Sequence, residues 1–263
     1  MSSNAPLLEV DGVSKRFGPV QALDRVDFEV HAGEVVGLVG DNGAGKSTLV
    51  KAIAGIHSPD GGRIRFEGRE VSVSRPQDAT ALGIATVYQD LALCDNLDVV
   101  ANLFLGMEEI SPGPGRVPRQ LDETQMEHRT GELLSGLSVT IPSLRSEVGT
   151  LSGGQRQQVA VARSLLGEPR VVLLDEPTAA LGVAQTAQVL DLIRELREHE
   201  LGVVVISHNL ANVFEVADRI VVLRLGRVAG SFDAERTTEE HVVSAITGAA
   251  GNGGEGQREG SDR

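Results

Sequence analysis

The chain contains few of the residues that mark several common protein classes. Among its 263 residues there is no tryptophan, one tyrosine and a single cysteine, Cys94. One cysteine cannot form an internal disulfide, and no Cys/His spacing resembles a zinc site. The sequence therefore favours a reducing compartment, and the cytosol is the expected one.

Long apolar runs are also missing. Residues 1–13 lack the basic start and the apolar stretch of a signal peptide. No apolar run approaches the roughly 18 residues that are needed to cross a bilayer. We therefore expect any role at a membrane to depend on partner proteins.

Positive charge is scarce. The chain has 24 Lys and Arg residues but 37 Asp and Glu residues, so its formal net charge is −13. An extended phosphate-binding surface needs clustered Lys and Arg, so we expect no nucleic-acid partner. The length and the 41% hydrophobic content suit one domain with a large core. We predict this domain over residues 1–248, followed by a disordered, Gly-rich acidic tail at 249–263.

Apolar patterning predicts an α/β fold. Strands are predicted within residues 7–40 and at 63–67, 84–88, 171–174 and 203–206, and a hairpin is predicted around Gly226 from strands at 220–223 and 227–232. Helices are predicted over 46–56 and 183–199, the second forming a crossover between two buried strands. Strand signals fade between 97 and 166 around a Pro/Gly-broken loop at 111–118, which predicts an inserted helical subdomain at about 91–166.

A phosphate-binding motif follows the third predicted strand. Residues 40–48 (GDNGAGKST) match G-x-x-x-x-G-K-[ST] and open a helix. Glycines there allow consecutive N–H groups to point at phosphate oxygens, and Lys46 is expected to reach the β- and γ-phosphates. A glycine turn with an exposed lysine is the alternative. The candidate nucleotide-binding residues are Gly40, Asp41, Asn42, Gly43, Ala44, Gly45, Lys46, Ser47 and Thr48.

Two further motifs lie downstream. Asp175 and Glu176 end an apolar strand in VVLLDEP, where a rigid element can hold two carboxylates beside phosphates; an acidic helix cap before Pro177 is the alternative. LSGGQ at 151–155 places Ser152, Gly153, Gly154 and Gln155 at the start of a predicted helix. That segment offers a hydroxyl, exposed amides and a helix N-terminus to an anion, although it could also be only a glycine-rich helix start.

Together the three motifs resemble the nucleotide-binding subunits of ATP-binding cassette (ABC) transporters, and the resemblance covers about residues 7–248. It implies a P-loop NTPase (RecA-like) core, an N-terminal antiparallel β-subdomain and an inserted helical subdomain, with ATP and Mg²⁺ as ligands. It also implies that Ser47 and Asp175 bind Mg²⁺ and that Glu176 is the general base for the attacking water.

The same resemblance implies roles for residues outside the three motifs. His208, directly after the strand VVVIS, corresponds to the switch histidine that contacts the γ-phosphate and positions Glu176. Gln89 corresponds to the glutamine that touches Mg²⁺ or water. Phe17 corresponds to the aromatic residue that stacks on adenine, with core packing as the alternative.

In the family, LSGGQ binds the γ-phosphate held by an opposite subunit. The resemblance therefore implies a head-to-tail pair of cassettes, expected here to be a homodimer. Gly182, in TAALG, stands where most of the family has an aspartate that helps to form the dimer seam.

Residues 87–106 (VYQDLALCDNLDVVANLFLG) and the TAALG turn resemble the branch that imports monosaccharides of the ribose, xylose and fructose type. The implied partners are an integral membrane permease and, indirectly, an extracytoplasmic sugar-binding protein, with the subunit at the cytoplasmic face of the membrane. A lipid or drug exporter subunit shares every catalytic motif. A soluble ABC ATPase acting on ribosomes or DNA usually has two cassettes, coiled arms or a basic surface.

Overall fold

The computed structural model describes residues 5–111 and 120–249. In chain order the strands are β1 (Leu8–Phe17), β2 (Val20–Val30), β3 (Val35–Val39), β4 (Gly61–Phe66), β5 (Arg69–Val71), β6 (Ile84–Val87), β7 (Ile110–Ser111), β8 (Gln120–Leu121), β9 (Val171–Asp175), β10 (Gly202–Ile206), β11 (Arg219–Arg224) and β12 (Arg227–Asp233). The helices are α1 (Lys46–Ile53), α2 (Pro76–Ala81), α3 (Val99–Phe104), α4 (Glu123–Gly136), α5 (Gly153–Leu165), α6 (Val183–Glu198), α7 (Leu210–Val216) and α8 (Glu239–Thr247). The predicted α/β class is confirmed.

A six-stranded sheet in the order β12-β11-β3-β10-β9-β6 forms the centre of the molecule. All neighbouring strands are parallel except the β11–β12 hairpin. Every residue of β3 and β10 is buried, as strands covered on both faces require. The helix α6 connects β9 to β10, so the predicted strand–helix–strand crossover is confirmed.

A second sheet, in the order β2-β1-β4-β5, is antiparallel and lies near the N-terminus. Along β2 the side chains of Val26, Phe28 and Val30 are buried while their neighbours are exposed, the alternation of a sheet with one face on a core. These side chains join α1 and one face of the central sheet in a single apolar cluster.

The insertion between β6 and β9 contains α3, α4 and α5. Their apolar side chains continue the cluster on the other face of the central sheet. A pair of two-residue strands, β7 and β8, lies between α3 and α4 and was not predicted from the sequence. The Pro/Gly-rich segment between these strands, 112–119, lies outside the described residues, as does 250–263 of the predicted tail. The domain limits stay a prediction.

The first helix is shorter than expected. It ends at Ile53 instead of residue 56, because Gly55 takes a left-handed φ of 75° and turns the chain away. A Cβ at Gly55 would stand 2.4 Å from the Arg75 carbonyl oxygen, so only glycine fits this approach. Within residues 5–111 and 120–249, no helix is both long and apolar enough to span a bilayer.

A buried amide organises the chain after β6. Asn102 of α3 has no exposed surface. Its Oδ1 accepts the Cys94 N–H at 2.7 Å, and its Nδ2 donates to the carbonyls of Cys94, Leu97 and Asp98 at 3.0, 3.1 and 3.0 Å. A fully bonded buried amide specifies one loop conformation. Sequence reasoning had no signal for this residue.

The loop that Asn102 holds is bonded in turn to the segment that precedes Ser152. The Val148 N–H donates to the Leu97 carbonyl at 3.0 Å, and the Gly149 N–H donates to the Asp95 carbonyl at 2.9 Å. The chain after β6 and the chain before α5 are therefore fixed to each other.

We expect Asn102→Leu to lower the free energy of unfolding by about 2 kcal/mol, because the Cys94 N–H would lose its acceptor in the interior. Thermal or denaturant unfolding would measure this. The control is Asn96→Leu, an exposed position in the same loop, which should change the free energy by less than about 0.5 kcal/mol. Equal effects of the two substitutions would contradict the role assigned to Asn102.

Candidate functional site

The phosphate-binding loop lies between β3 and α1, and its shape depends on three glycines with positive φ: Gly40, Gly43 and Gly45. A Cβ on Gly45 would stand 2.7 Å from the Ala22 carbonyl oxygen. This close approach to the Ala22 backbone and the positive φ angles explain why the loop is glycine-rich.

The β11–β12 hairpin supports this loop from behind. The Gly226 N–H donates to the Ala44 carbonyl at 2.9 Å. The Leu223 carbonyl oxygen lies 2.1 Å from the place that a Cβ on Gly40 would occupy. The loop is therefore packed against backbone at both of its ends.

Lys46 is 8% exposed and points back into the loop. Its Nζ donates to the carbonyls of Gly40 and Asp41 at 2.6 and 3.0 Å. Burial lowers the pKa of this ammonium, while the nearby carboxylates of Glu176, Asp41 and Asp175 act in the opposite direction. A phosphate in the loop would bring further negative charge to this buried cation.

Asp175 is the last residue of β9, and Glu176 follows it with a φ of 52°. A non-glycine residue in this region costs on the order of 1 kcal/mol or more. The Glu176 N–H donates to the Ile206 carbonyl at 2.9 Å, so β10 holds the turn in place. Burial, followed by the charge of Glu176, raises the pKa of Asp175.

His208 lies beside Glu176, as the family resemblance implies. Its Nδ1 is 2.9 Å from Glu176 Oε2, and the Glu176 side chain is only 17% exposed. The imidazole therefore stands next to the carboxylate that the family resemblance predicts to be the general base.

A second contact holds the turn after Glu176, and sequence reasoning missed it. Asn212 of α7 donates from Nδ2 to Thr178 Oγ1 at 3.0 Å. The helix is itself capped by Asn209, whose Oδ1 accepts the Asn212 N–H at 3.3 Å. Asn209 follows His208 and could have been recognised as a helix cap, whereas no pattern marks Asn212.

Two adjoining clefts open along the carboxyl edge of the central sheet. One, of about 430 Å³, is lined by the loop from Asn42 to Thr48 together with Gln89, Asp175 and Glu176. The other, of about 450 Å³, is lined by Gly40, Asp41, Gln89, Glu176 and His208 among others. The structure thus brings together the phosphate-binding loop, Gln89, Asp175, Glu176 and His208.

The LSGGQ segment begins a helix as expected. Ser152 caps α5, because its Oγ accepts the Gln155 N–H at 3.2 Å while Gln155 Oε1 accepts the Ser152 N–H at 3.0 Å. Ser152 is exposed, but Gly154 is buried, so the expectation of exposed amides holds only for the first part of the segment. Among the described residues that line the two clefts, none belongs to 151–155.

Phe17 lies at the end of β1 and is 42% exposed, more than core packing would allow. Its ring contacts His57 edge to face at 5.1 Å, and Lys15 Nζ is 5.6 Å from the ring centroid. Phe17 is not among the residues that line the two clefts described above, although Val20 and Ala22 of the next strand line the first. Stacking on adenine stays a prediction.

Gly182 is the cap residue of α6, with an extended φ and ψ of −74° and 168°. Any residue can adopt this conformation, so backbone geometry does not explain the glycine. Its N–H donates to Gln185 Oε1 at 3.2 Å.

Known proteins resemble this chain over nearly its whole length. The fructose import ATP-binding protein FrcA of Rhizobium meliloti is 48% identical over 246 residues, which cover 93% of this chain and 95% of that protein. The xylose/arabinose import ATP-binding protein XylG of Sulfolobus acidocaldarius is 46% identical over 244 residues, with the same coverage of 93% and 95%.

The solved structure of the ADP conformation of MJ1267, an ATP-binding cassette of an ABC transporter, superimposes with a TM-score of 0.77. It is 25% identical in sequence, and the match covers 92% of this chain and 95% of that one. The family model described as ABC transporter matches residues 23–179, more than half of the sequence. Because this model matches more than half of the chain and two relatives are at least 46% identical over 93% of it, the chain belongs to the ABC transporter family.

Proposed function

We propose that this chain is the ATP-hydrolysing subunit that powers import of a sugar, a monosaccharide, through a separate membrane permease. The observation that carries this proposal is the 48% and 46% identity, over 95% of each relative, to proteins named for fructose import and for xylose/arabinose import. The cleft chemistry supports the ATPase part independently, because a phosphate cradle, a buried lysine and an oriented carboxylate meet in one place.

ATP is the substrate, and the chain's own groups divide its hydrolysis between them. The amides of the phosphate-binding loop and Lys46 bind the phosphates and orient them for attack. Glu176 accepts the proton of the attacking water, and His208 keeps the carboxylate in position through the 2.9 Å contact. Proton transfer of this kind typically contributes about 10²- to 10⁴-fold to the rate.

Ser47, Gln89 and Asp175 line the same cleft, and their oxygens are the ligands that Mg²⁺ prefers. Magnesium is usually bound by one or two carboxylates together with substrate phosphates, which this donor set fits. When bound, the ion neutralises charge that develops on the phosphates.

A second copy of the chain completes each site in this proposal. Ser152 and the following glycines do not line the clefts formed by their own phosphate-binding loop. The exposed Ser152 lies at a helix N-terminus, which suits an anion. A head-to-tail homodimer brings this helix start to the γ-phosphate held by the other copy. Binding of ATP then brings the two copies together, and hydrolysis of ATP allows them to separate.

A groove after β6 receives the permease. It has a volume of about 340 Å³ and includes Leu91, Ala92, Met107, Ala160 and Arg163 in its lining. Arg163 Nη1 donates to the Ala92 carbonyl at 2.9 Å and shapes one wall. A largely apolar groove with charge at its rim suits an amphipathic helical segment.

A permease that docks in this groove would hold the subunit at the cytoplasmic face of the membrane. The transported sugar would then be delivered from outside by an extracytoplasmic binding protein. The net charge of −13 gives no support to a nucleic-acid partner.

Glu176→Gln should lower ATP turnover by about 10²-fold or more while sparing ATP binding, because the amide cannot accept the proton. Phosphate release and binding of a fluorescent ATP analogue measure the two effects. With ATP, this variant should become dimeric in light scattering, whereas Ser152→Arg should stay monomeric. Dimerisation of both variants without nucleotide would contradict a dimer interface that depends on bound ATP.

Asp175→Asn should raise the melting temperature at pH 7 but lower Mg²⁺-dependent turnover at least tenfold. The raised pKa means that the ionised carboxylate is less favourable in the folded than in the unfolded chain. This destabilisation is complete above the folded-state pKa and disappears as the pH falls towards the ordinary value of 3.8. The gain from the amide should therefore shrink in melting curves recorded at decreasing pH.

The control for this measurement is Asp60→Asn, for which the opposite sign is expected. The Lys15 ammonium and the Arg16 N–H lower the pKa of Asp60, so its ionised form stabilises the fold above the ordinary pKa and that contribution is lost in acid. Asp60→Asn should lower the melting temperature at pH 7. A gain in both variants would show that burial of Asp175 is not the cause.

Transport itself is tested in vesicles that contain the multi-span permease. ATP turnover should rise only when the binding protein loaded with fructose, xylose or ribose is added. Met107→Glu, which places a charge in the groove, should remove this stimulation, and the similarly exposed Val243→Glu should keep it. Stimulation by ribosomes, or by a lipid or drug substrate in place of sugar, would overturn the proposal in favour of another class.

A further inference from the structure

The start of α5 lies directly against the loop that follows Glu176 in the same chain. A Cβ built on Gly153 would stand 3.0 Å from Leu181 Cδ2, and one built on Gly154 would stand 3.0 Å from Gln185 Cβ and 3.3 Å from its Cα. Neither glycine has a positive φ. Close packing of two helix starts is therefore a reason for glycine at both positions.

Gln185 touches both sides of this junction. Its backbone and Cβ pack on Gly154, and its Oε1 accepts the Gly182 N–H at 3.2 Å. Gly182 has no side chain that could accept an N–H from the first turn of α6. The bond from the Gly182 N–H to Gln185, the third helical residue, is the one half of a capping box that a glycine allows. The amide oxygen of Gln185 thus holds the loop at the point where this chain lacks the more usual aspartate.

We propose that Gln185 is a positioning residue that keeps the loop at 177–182 and the Ser152 end of α5 as one unit. The inference rests on the head-to-tail dimer proposed above, in which both segments of one copy face the nucleotide of the other. Loss of the Gln185 contact therefore impairs the site of the partner copy more than the site in its own chain.

The first experiment uses ATP-driven dimerisation in the Glu176→Gln background, followed by light scattering. Gln185→Met keeps the length of the side chain but removes the acceptor, and it should weaken the dimer about tenfold. Gln185→Glu keeps an acceptor for the Gly182 N–H and should restore most of the affinity. The matched control is Gln188→Met, an exposed glutamine on the same helix, which should leave the affinity unchanged.

The second experiment asks which copy the residue serves. Two copies with different affinity tags are co-purified, one of them carrying Glu176→Gln so that turnover comes from the other copy's loop. Gln185→Met in the Glu176→Gln copy should lower turnover about tenfold, whereas Gln185→Met in the active copy should lower it less than about threefold. Equal effects in both placements, or dimer affinity equal to that of Gln188→Met, would overturn the inference.

Ser152→Arg in the same two placements separates this inference from the proposed dimer. If Ser152→Arg shows no dependence on placement, the head-to-tail arrangement itself fails. If Ser152→Arg depends on placement and Gln185→Met does not, only the role of Gln185 fails.

Discussion

The parallel register between β9 and β10 is the constraint on which the site depends. Asp175 pairs with Ile206, so both strands end at the same level of the sheet. Glu176 then bonds its N–H to the Ile206 carbonyl, and His208 two residues later reaches the Glu176 carboxylate. A shift of one residue would turn each buried side chain to the opposite face of the sheet and separate the acid from the histidine. The apolar side chains of both strands therefore set the relative positions of Glu176 and His208.

Much of this arrangement follows from sequence, because buried Val-rich strands and a glycine loop have strong local patterns. The central strands, the crossover helix, the phosphate-binding loop and the helix start at LSGGQ were all predicted from such patterns. The β7–β8 hairpin was not, since two-residue strands carry no periodicity. The end of α1 was placed too late because the close approach of Gly55 to Arg75 is a tertiary contact.

The hydrogen bonds by which single polar side chains hold loops were also beyond prediction. Asn102, Asn212 and Gln185 look like ordinary helical polar residues, and their partners are known only when the fold is known. All three bind loops instead of ligands. The motif residues therefore identify the chemistry, while these amides determine whether the loops that carry it keep their shape.

The support of the phosphate-binding loop by the β11–β12 hairpin has a consequence for synthesis of the chain. The loop at 40–48 emerges from the ribosome early, yet the Gly226 N–H and the Leu223 carbonyl that border it are added about 180 residues later. Strand β11 also pairs with β3, the strand that precedes the loop. The nascent chain consequently completes its phosphate-binding loop only after β11 has been synthesised, and a fragment that stops before β11 lacks the backbone that shapes the loop.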